Sequence, residues 1–235
     1  MKKHIPNAIT CLNLFSGCLG LYFAFKGELV STAYLVGIAA IFDFLDGMIA
    51  RLIHAYSEIG KQLDSLADMV SFGVVPGTIM FMLLQRIEAP FLGIPADILP
   101  FFGFLITIFS ALRLAKFNID TRQTTSFIGL PTPACTLFVA SLPLILETGD
   151  LVMFEIILNQ PVLLALTILL SFLLVAELPL FALKFKNFTW QDNSIRFIFL
   201  GLSVILLAML KFAAIPLVIL LYVLLSIIKK TSHTS

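Results

Sequence analysis

The sequence predicts an all-α, polytopic membrane protein with about eight transmembrane helices. Of its 235 residues, 60% are hydrophobic and only 12% are charged, and the mean hydropathy is +1.05. The apolar residues also fall into runs near the length of roughly 20 residues that a helix needs to cross a bilayer. A soluble domain could not bury this much apolar surface, so we expect lipid to be the solvent for most of the chain.

The predicted spans follow one another with short connections, and we expect residues 1–235 to form a single membrane domain. In order, the spans are 5–25, 29–53, 64–85, 99–117, 131–147, 160–182, 194–211 and 213–229. Pro161, Pro179 and Pro216 lack a backbone donor and leave the later boundaries loosely defined. The last two spans, about 194–229, are expected to be accessory helices.

The positions of the Lys and Arg residues predict the orientation, because cytoplasmic loops carry the excess of these residues. With a cytoplasmic N-terminus, twelve of the fifteen lie on the cytoplasmic side: Lys2, Lys3, Arg51, Lys61, Arg113, Lys116, Arg122, Lys184, Lys186, Arg196, Lys229 and Lys230. Only Lys26, Arg86 and Lys211 lie on the other side. We expect a multi-pass protein of the cell (inner) membrane with both termini cytoplasmic. The net charge of +1 gives no reason to expect nucleic acid as a partner.

Four acidic residues lie in or beside the second and third spans: Asp43, Asp46, Asp64 and Asp68. A charge at the bilayer centre costs about 2.5 to 3.5 kcal/mol. Their spacing places each pair on one face of its helix, and a short loop makes the two helices antiparallel neighbours. The sequence has too few nearby cations to balance four carboxylates. It therefore predicts an oxygen-lined site for hard divalent cations such as Mg²⁺ or Mn²⁺.

These aspartates belong to a longer motif that crosses the short cytoplasmic loop between the second and third spans. It reads Asp43-x2-Asp46-Gly47-x2-Ala50-Arg51-x8-Gly60-x3-Asp64-x3-Asp68. In all eight specified positions it resembles the signature of the CDP-alcohol phosphotransferase family. The resemblance implies a six-helix catalytic core, a dinuclear metal site, a CDP-linked donor and a homodimer.

The resemblance also implies roles for the motif residues. Asp43, Asp46 and Asp64 would be metal ligands, and Asp68 would serve as a ligand and as the general base. The pocket for cytidine and pyrophosphate would be shaped by Asp46, Gly47, Ala50, Arg51, Gly60 and Asp64. Three alternatives remain open: Asp68 could be only a structural ligand, the glycines could serve helix packing, and Arg51 could be an interfacial anchor.

Further stretches resemble the phosphatidylserine-forming members of the family: 5–10 with Asn13, 60–73, 111–118 and 129–134. They imply that CDP-diacylglycerol and L-serine are the substrates. Asn7 and Thr10 on the first helix could contact the nucleotide, although helix packing explains them equally well. Arg113 and Lys116 are possible contacts of the acceptor or a phosphate. Lys116 stands where the family has Arg, and a plain interfacial anchor is an equal alternative for it.

Other readings compete with this one. Within the family, glycerol 3-phosphate or inositol phosphate could be the acceptor, but a dianionic phosphate calls for more basic residues than the sequence offers. A membrane prenyltransferase would keep its two acidic motifs well apart in sequence. A cation transporter would place charges near mid-membrane and carry an inverted repeat, and the sequence shows no second copy of the motif.

Overall fold

The computed structural model describes residues 4–120, 126–181 and 189–233. The helices are α1 (His4–Phe25), α2 (Leu29–Leu52), α3 (Glu58–Met69), α4 (Val75–Gln85), α5 (Leu105–Ile119), α6 (Thr132–Leu146), α7 (Leu151–Ile157), α8 (Gln160–Val175), α9 (Trp190–Leu210) and α10 (Ala214–His233). A π-helical turn (Val70–Val74) joins α3 to α4, and 3₁₀ turns (Leu99–Phe104, Lys211–Ala213) precede α5 and α10. The strands are β1 (Ser126–Ile128) and β2 (Pro179–Phe181).

The first two helices agree with the spans predicted at 5–25 and 29–53. Gly27 turns the chain between them with φ +80°, a left-handed conformation that glycine adopts without steric cost. The two helices then pack along each other. The buried face of α1 consists of small or polar residues: Pro6, Thr10, Asn13, Ser16, Gly17, Gly20 and Ala24. Such residues allow membrane helices to approach closely.

The third helical stretch runs without interruption from Glu58 to Gln85, so it begins earlier than the predicted start at residue 64. Ser57 caps it, because the Ser57 hydroxyl accepts a hydrogen bond from the Gly60 amide at 3.0 Å. In the π-helical turn within the stretch, backbone hydrogen bonds join residues five apart and replace the α-helical bonds between residues four apart. The carbonyls of Phe72 and Gly73 in this turn accept hydrogen bonds from Thr136 and Thr107, each at 2.9 Å.

The hydrophobic core lies around α6. Eleven of the fifteen residues of α6 are buried, and the helix contacts α2, α4 and α10. Its neighbours contribute large, fully buried side chains, including Ile79 and Leu83 on α4 and Leu163 and Leu170 on α8. A helix that is apolar on all sides is expected in the centre of a membrane bundle.

The predicted span 160–182 is too long, because α8 ends at Val175. Pro179 follows and starts β2, which pairs antiparallel with β1; proline cannot continue a helix but is tolerated at the first residue of a strand. The sequence also did not predict α7, which meets α8 at a bend of 63°. The fold is therefore all-α apart from one short strand pair within the described residues.

The hydropathy of the helices confirms a polytopic membrane protein. By length and apolar composition, the described residues provide five candidate spans, or six if the bent pair α7 and α8 forms one. One candidate, Asn193–Ile228, contains both α9 and α10. The rings of Phe199 and Tyr222 lie 5.6 Å apart across these helices, so α9 and α10 form an antiparallel hairpin. The predicted number of eight spans stays a prediction.

The two ends of the bundle differ in the residues they gather. At one end, a cavity of about 350 Å³ joins the α1–α2 turn to Arg86 after α4 and Glu147 after α6. At the opposite end lie the N-terminus of α1, the C-terminus of α2 and the start of α3. Of the predicted cytoplasmic cations, Lys2, Lys3, Arg122, Lys184 and Lys186 lie outside the described residues, as do the side chains of Lys229 and Lys230.

Candidate active site

The carboxylates of α2 and α3 face each other, as the spacing predicts. Asp43, Asp64 and Asp68 can each offer one oxygen such that all three oxygens lie within 4.8 Å of one another. All three residues are partly buried. Asp43 comes from α2, and the two others lie one turn apart on α3, so the antiparallel pairing of the two helices creates this cluster.

Asp46 lies one turn beyond Asp43 on α2 and outside the three-carboxylate group. Its side chain is 5% exposed and accepts a hydrogen bond of 2.6 Å from the Thr10 hydroxyl of α1. The charge of Asp46 nevertheless interacts with those of Asp43 and Asp64. The first helix therefore holds one of the four acids directly.

A second contact from α1 reaches Asp68 on α3. The side-chain amide of Asn13 donates to Asp68 Oδ1 at 3.3 Å, and the backbone carbonyl of Asn13 accepts from Ser71 Oγ at 3.1 Å. Gly17 permits this close approach, because a Cβ there would clash with the Ser71 hydroxyl and lie 3.0 Å from the Ser71 Cα. Glycine at this point thus docks α1 against the π-helical turn.

A cavity of about 530 Å³ opens beside the carboxylates. Eight of the predicted site residues line it: Asn7, Thr10, Asp46, Gly47, Ala50, Arg51, Gly60 and Asp64. Asp64 belongs both to this lining and to the three-carboxylate group. Asp46 and Asp64 therefore lie in the wall of a space that falls within the usual size range of small-molecule sites, and Asp43 and Asp68 adjoin it through Asp64.

The two glycines of the motif meet different surroundings. A Cβ at Gly60 would lie 2.9 Å from Asn7 Oδ1 and from Ser57 Oγ, so Gly60 allows α1, the loop and α3 to converge. A Cβ at Gly47 would meet no atom within 4 Å. Gly47 therefore borders open space, where a ligand could approach the backbone of α2.

Arg113 and Lys116 do not line the large cavity. Arg113 on α5 is 6% exposed, donates through Nε to the Leu130 carbonyl at 2.5 Å, and is close enough to Asp68 for the two charges to interact. Lys116 is exposed and borders, with Arg113 and Glu177, a small cavity of about 30 Å³. The structure thus associates Arg113, but not Lys116, with the acids.

The donor set fits divalent cations. The hydrogen bonds described above reach the acids from neutral groups, the Thr10 hydroxyl and the Asn13 amide. Carboxylate oxygens gathered within 4.8 Å of one another are the ligands that Mg²⁺ and Mn²⁺ prefer. Such a cluster of like charges requires positive charge from another source.

Several lining residues were not among the predicted site residues: Pro6, Ala55, Tyr56, Ser57, Lys61 and Phe117. Ser57 carries a recognisable signal, because a serine followed by an acidic residue is typical of a helix start, and that start brings Gly60 onto α3. Phe117 comes from α5 and gives no local signal. Its position depends on how α5 packs beside α3.

Comparison with known proteins adds a family and named relatives. A family model described as CDP-alcohol phosphatidyltransferase matches residues 3–173. The chain is 37% identical over 136 residues to the CDP-diacylglycerol–serine O-phosphatidyltransferase of Helicobacter pylori strain J99, covering 57% of this chain and 54% of that protein. It is 34% identical over 131 residues to the protein of the same name from Bacillus subtilis strain 168, covering 56% of this chain and 70% of the relative.

An archaeal relative extends this similarity. The archaetidylserine synthase of Methanothermobacter thermautotrophicus is 32% identical over 142 residues, covering 58% of this chain and 56% of that protein. The chain therefore spans about half the length of the Helicobacter and Methanothermobacter relatives that it matches.

Proposed function

The chain belongs to the CDP-alcohol phosphatidyltransferase family, and we propose that it transfers the phosphatidyl group of CDP-diacylglycerol to the hydroxyl of L-serine, which yields phosphatidylserine and CMP. One observation carries the proposal: Asp64 lies both in the three-carboxylate group and, with Asp46, in the wall of a cavity of about 530 Å³ that Gly47, Ala50, Arg51 and Gly60 of the motif also line. The printed names of the relatives support serine as the acceptor.

The acids would hold two divalent cations, Mg²⁺ or Mn²⁺. Asp43, Asp64 and Asp68 supply the clustered oxygens, and Asp46 adjoins them with Thr10 fixing its carboxylate. When bound, the cations would neutralise the pyrophosphate and stabilise the departing CMP. Phosphoryl transfer asks of the protein mainly positioning and charge stabilisation.

Asp68 would act as the general base. It accepts the proton of the serine hydroxyl while that oxygen attacks the phosphorus carrying diacylglycerol, and the bond from this phosphorus to CMP breaks. The Asn13 amide at 3.3 Å would orient the carboxylate for this task. A base must lie within hydrogen-bond reach of the proton that it removes.

The cavity would bind the CDP portion of the donor. Asn7 and Thr10 on α1 and Gly47, Ala50 and Gly60 on the facing helices line its wall. Arg51 and Lys61 also line the cavity and would bind the pyrophosphate. An arginine can form a bidentate contact to two phosphate oxygens.

Arg113 would bind the carboxylate of serine, because it is buried and its positive charge interacts with the charge of Asp68. Its Nε is bonded to the Leu130 carbonyl, which leaves the terminal nitrogens of the guanidinium as candidates for a bidentate contact. Lys116 would contribute only an interfacial charge, because it is exposed beside Glu177.

The same proposal includes the setting of the enzyme. We expect a single domain in the cell (inner) membrane, with the site and both termini on the cytoplasmic side and a homodimer as the assembly. The family match ends at residue 173, which favours α9 and α10 as accessory helices. Arg51 and Lys61 line the cavity of the site, whereas Arg86 lies at the opposite end of the bundle. This arrangement supports the orientation expected from the positive-inside rule.

A CMP-release assay on the purified full chain tests the function. CDP-diacylglycerol is mixed with serine, glycerol 3-phosphate or inositol phosphate in the presence of Mg²⁺ or Mn²⁺, and chelator is the control. We expect metal-dependent CMP release with serine and a phosphatidylserine product. Release with a phosphorylated alcohol and none with serine would overturn the acceptor assignment and leave the family chemistry standing.

A further inference from the structure

Asn13 connects the first helix to the proposed base. Its side chain is fully buried, its Nδ2 donates to Asp68 Oδ1, and its backbone carbonyl is held by Ser71. These contacts on both backbone and side chain fix the rotamer of Asn13. The direction of its side-chain carbonyl is therefore fixed as well.

That carbonyl oxygen has no hydrogen-bond partner. Asn13 Oδ1 is one of two buried side-chain polar atoms without one among the described residues. A buried acceptor without a donor costs free energy, and native structures contain few such atoms. Because Asn13 Nδ2 points towards the Asp68 carboxylate, Asn13 Oδ1 points away from it. It is suited to a donor that arrives with the substrate.

We propose that Asn13 Oδ1 accepts a hydrogen bond from the ammonium group of an amino-alcohol acceptor whose hydroxyl lies against Asp68. The inference rests on the proposed function and names how that site selects its acceptor. An ammonium group offers three charged donors, whereas the equivalent C2 position of glycerol 3-phosphate carries a neutral hydroxyl with one donor. Hydrogen bonds from a charged donor are the stronger ones, so a carbonyl oxygen at this position favours serine over a phosphorylated alcohol.

The packing of the helices gives the acceptor three points of contact. Helix α3, which carries Asp68, contacts both α1 and α5. Asn13 belongs to α1, and Arg113, whose charge interacts with that of Asp68, belongs to α5. An acceptor with its hydroxyl at Asp68 would thus have a carbonyl oxygen from α1 for its ammonium and a guanidinium from α5 for its carboxylate.

The test compares two acceptors in two enzymes. L-serine and 3-hydroxypropionate differ by the amino group alone, and CMP release is measured for each with the wild-type chain and with Asn13→Ala. We expect the wild type to prefer serine at least about tenfold in kcat/KM, as for a hydrogen bond to a charged group. Asn13→Ala should lose most of this preference, mainly through a higher KM for serine.

Ser16→Ala is the matched control. Ser16 is also buried on α1, but its hydroxyl donates only to the Leu12 carbonyl of its own helix at 2.8 Å. This variant should keep the preference for serine. Mn²⁺ binding, followed by electron paramagnetic resonance, should be unchanged in Ser16→Ala. Asn13→Ala also removes an amide that bonds to Asp68, so its Mn²⁺ affinity should fall; this loss acts on both acceptors alike and leaves the ratio of their kcat/KM values as the readout.

Two results would overturn the inference: equal use of both acceptors by the wild type, or full preference for serine in Asn13→Ala. If Asn13→Ala does not fold, Asn13→Ser replaces it. The comparison of serine with 3-hydroxypropionate in the wild type needs no variant and tests the inference in either case. If the wild type rejects serine but uses glycerol 3-phosphate, the proposed function itself fails. If it uses serine without these effects, only the role of Asn13 fails.

Discussion

The α1–α3 region and the α9–α10 hairpin are held together by different kinds of contact. In the first, helices are joined through polar side chains: Thr10 to Asp46 at 2.6 Å, and Asn13 to Asp68 at 3.3 Å. In the second, the rings of Phe199 and Tyr222 pack at 5.6 Å, and most large side chains of α9 are exposed to the surroundings of the bundle.

This difference separates the part of the molecule that contains the proposed site from a part that contains none of its residues. Polar groups are expensive in a membrane and are found where they have a function. Apolar surface costs nothing in lipid, so α9 needs few partners in the protein. The family match, which ends at residue 173, also includes the first region and excludes the hairpin. Mutations in the two regions should therefore affect different properties.

The largest effect is expected for Asp68→Asn in the polar region. The change keeps the shape of the side chain but removes the base, so kcat should fall about 10²- to 10⁴-fold while CDP-diacylglycerol still binds. CMP release and donor binding are the measurements. Asp150→Asn is the control, because Asp150 caps α7 far from the site and asparagine caps equally well. Full turnover in Asp68→Asn would contradict the assigned role.

Asp43→Asn should weaken metal binding. The variant removes one charge from the three-carboxylate group, and losing even an outer partner of a metal site costs about 10- to 100-fold in affinity. We expect at least that loss in a Mn²⁺ titration followed by electron paramagnetic resonance. Unchanged Mn²⁺ affinity would show that the acids do not form a metal site.

Thr10→Val tests whether the contact between α1 and α2 serves the site. Valine has a similar shape but cannot donate to Asp46, and a hydrogen bond to a charged group is worth about 1.5 to 3 kcal/mol. We expect roughly a tenfold loss in kcat/KM for CDP-diacylglycerol. Thr32→Val is the control in the same helix pair, since Thr32 is buried and bonds to the Gly20 carbonyl at 3.1 Å. Equal losses in both variants would point to helix packing alone.

The smallest effect on activity is expected in the hairpin. Phe199→Leu removes ring contacts to Phe181 and Tyr222, and an aromatic pair is worth about 0.5 to 1.5 kcal/mol. Thermal unfolding in detergent should show a loss of this size, with CMP release within about twofold of wild type. Ile205→Leu, at an exposed position of α9, should change neither. A large loss of activity in Phe199→Leu would remove the contrast between the regions.

Much of this organisation could be predicted from the sequence because its signals are local. Runs of apolar residues located α1, α2 and α6 closely, and the spacing of the aspartates predicted the facing stripes of α2 and α3. The motif also identified six residues that line the cavity, and the resemblance of the first helix identified two more, Asn7 and Thr10. In each case one helix face, or two helices joined by a short loop, determines the arrangement.

The remaining features depend on contacts between distant segments. The rotation of α1 decides which acid each polar side chain meets, so the pairing of Asn13 with Asp68 could not be derived from spacing. The strand pair requires β1 and β2 to meet across more than fifty residues. Arg113 was predicted at a cytoplasmic helix end, but its bond to Leu130 depends on the path of the chain at Gly129, whose φ is +77°.

The π-helical turn at Val70–Val74 sets the rotation of α4, which packs in the core, relative to α3, which carries two of the acids. A π turn amounts to one residue inserted into an α-helix, and each residue advances an α-helix by about 100°. Asp68 before the turn and Ile79 after it therefore point in directions that an uninterrupted helix would not give them. Deleting one residue in this turn would leave the composition of the stretch almost intact. The acids of α3 could then no longer face α1 and α2 while the apolar side chains of α4 face the core around α6.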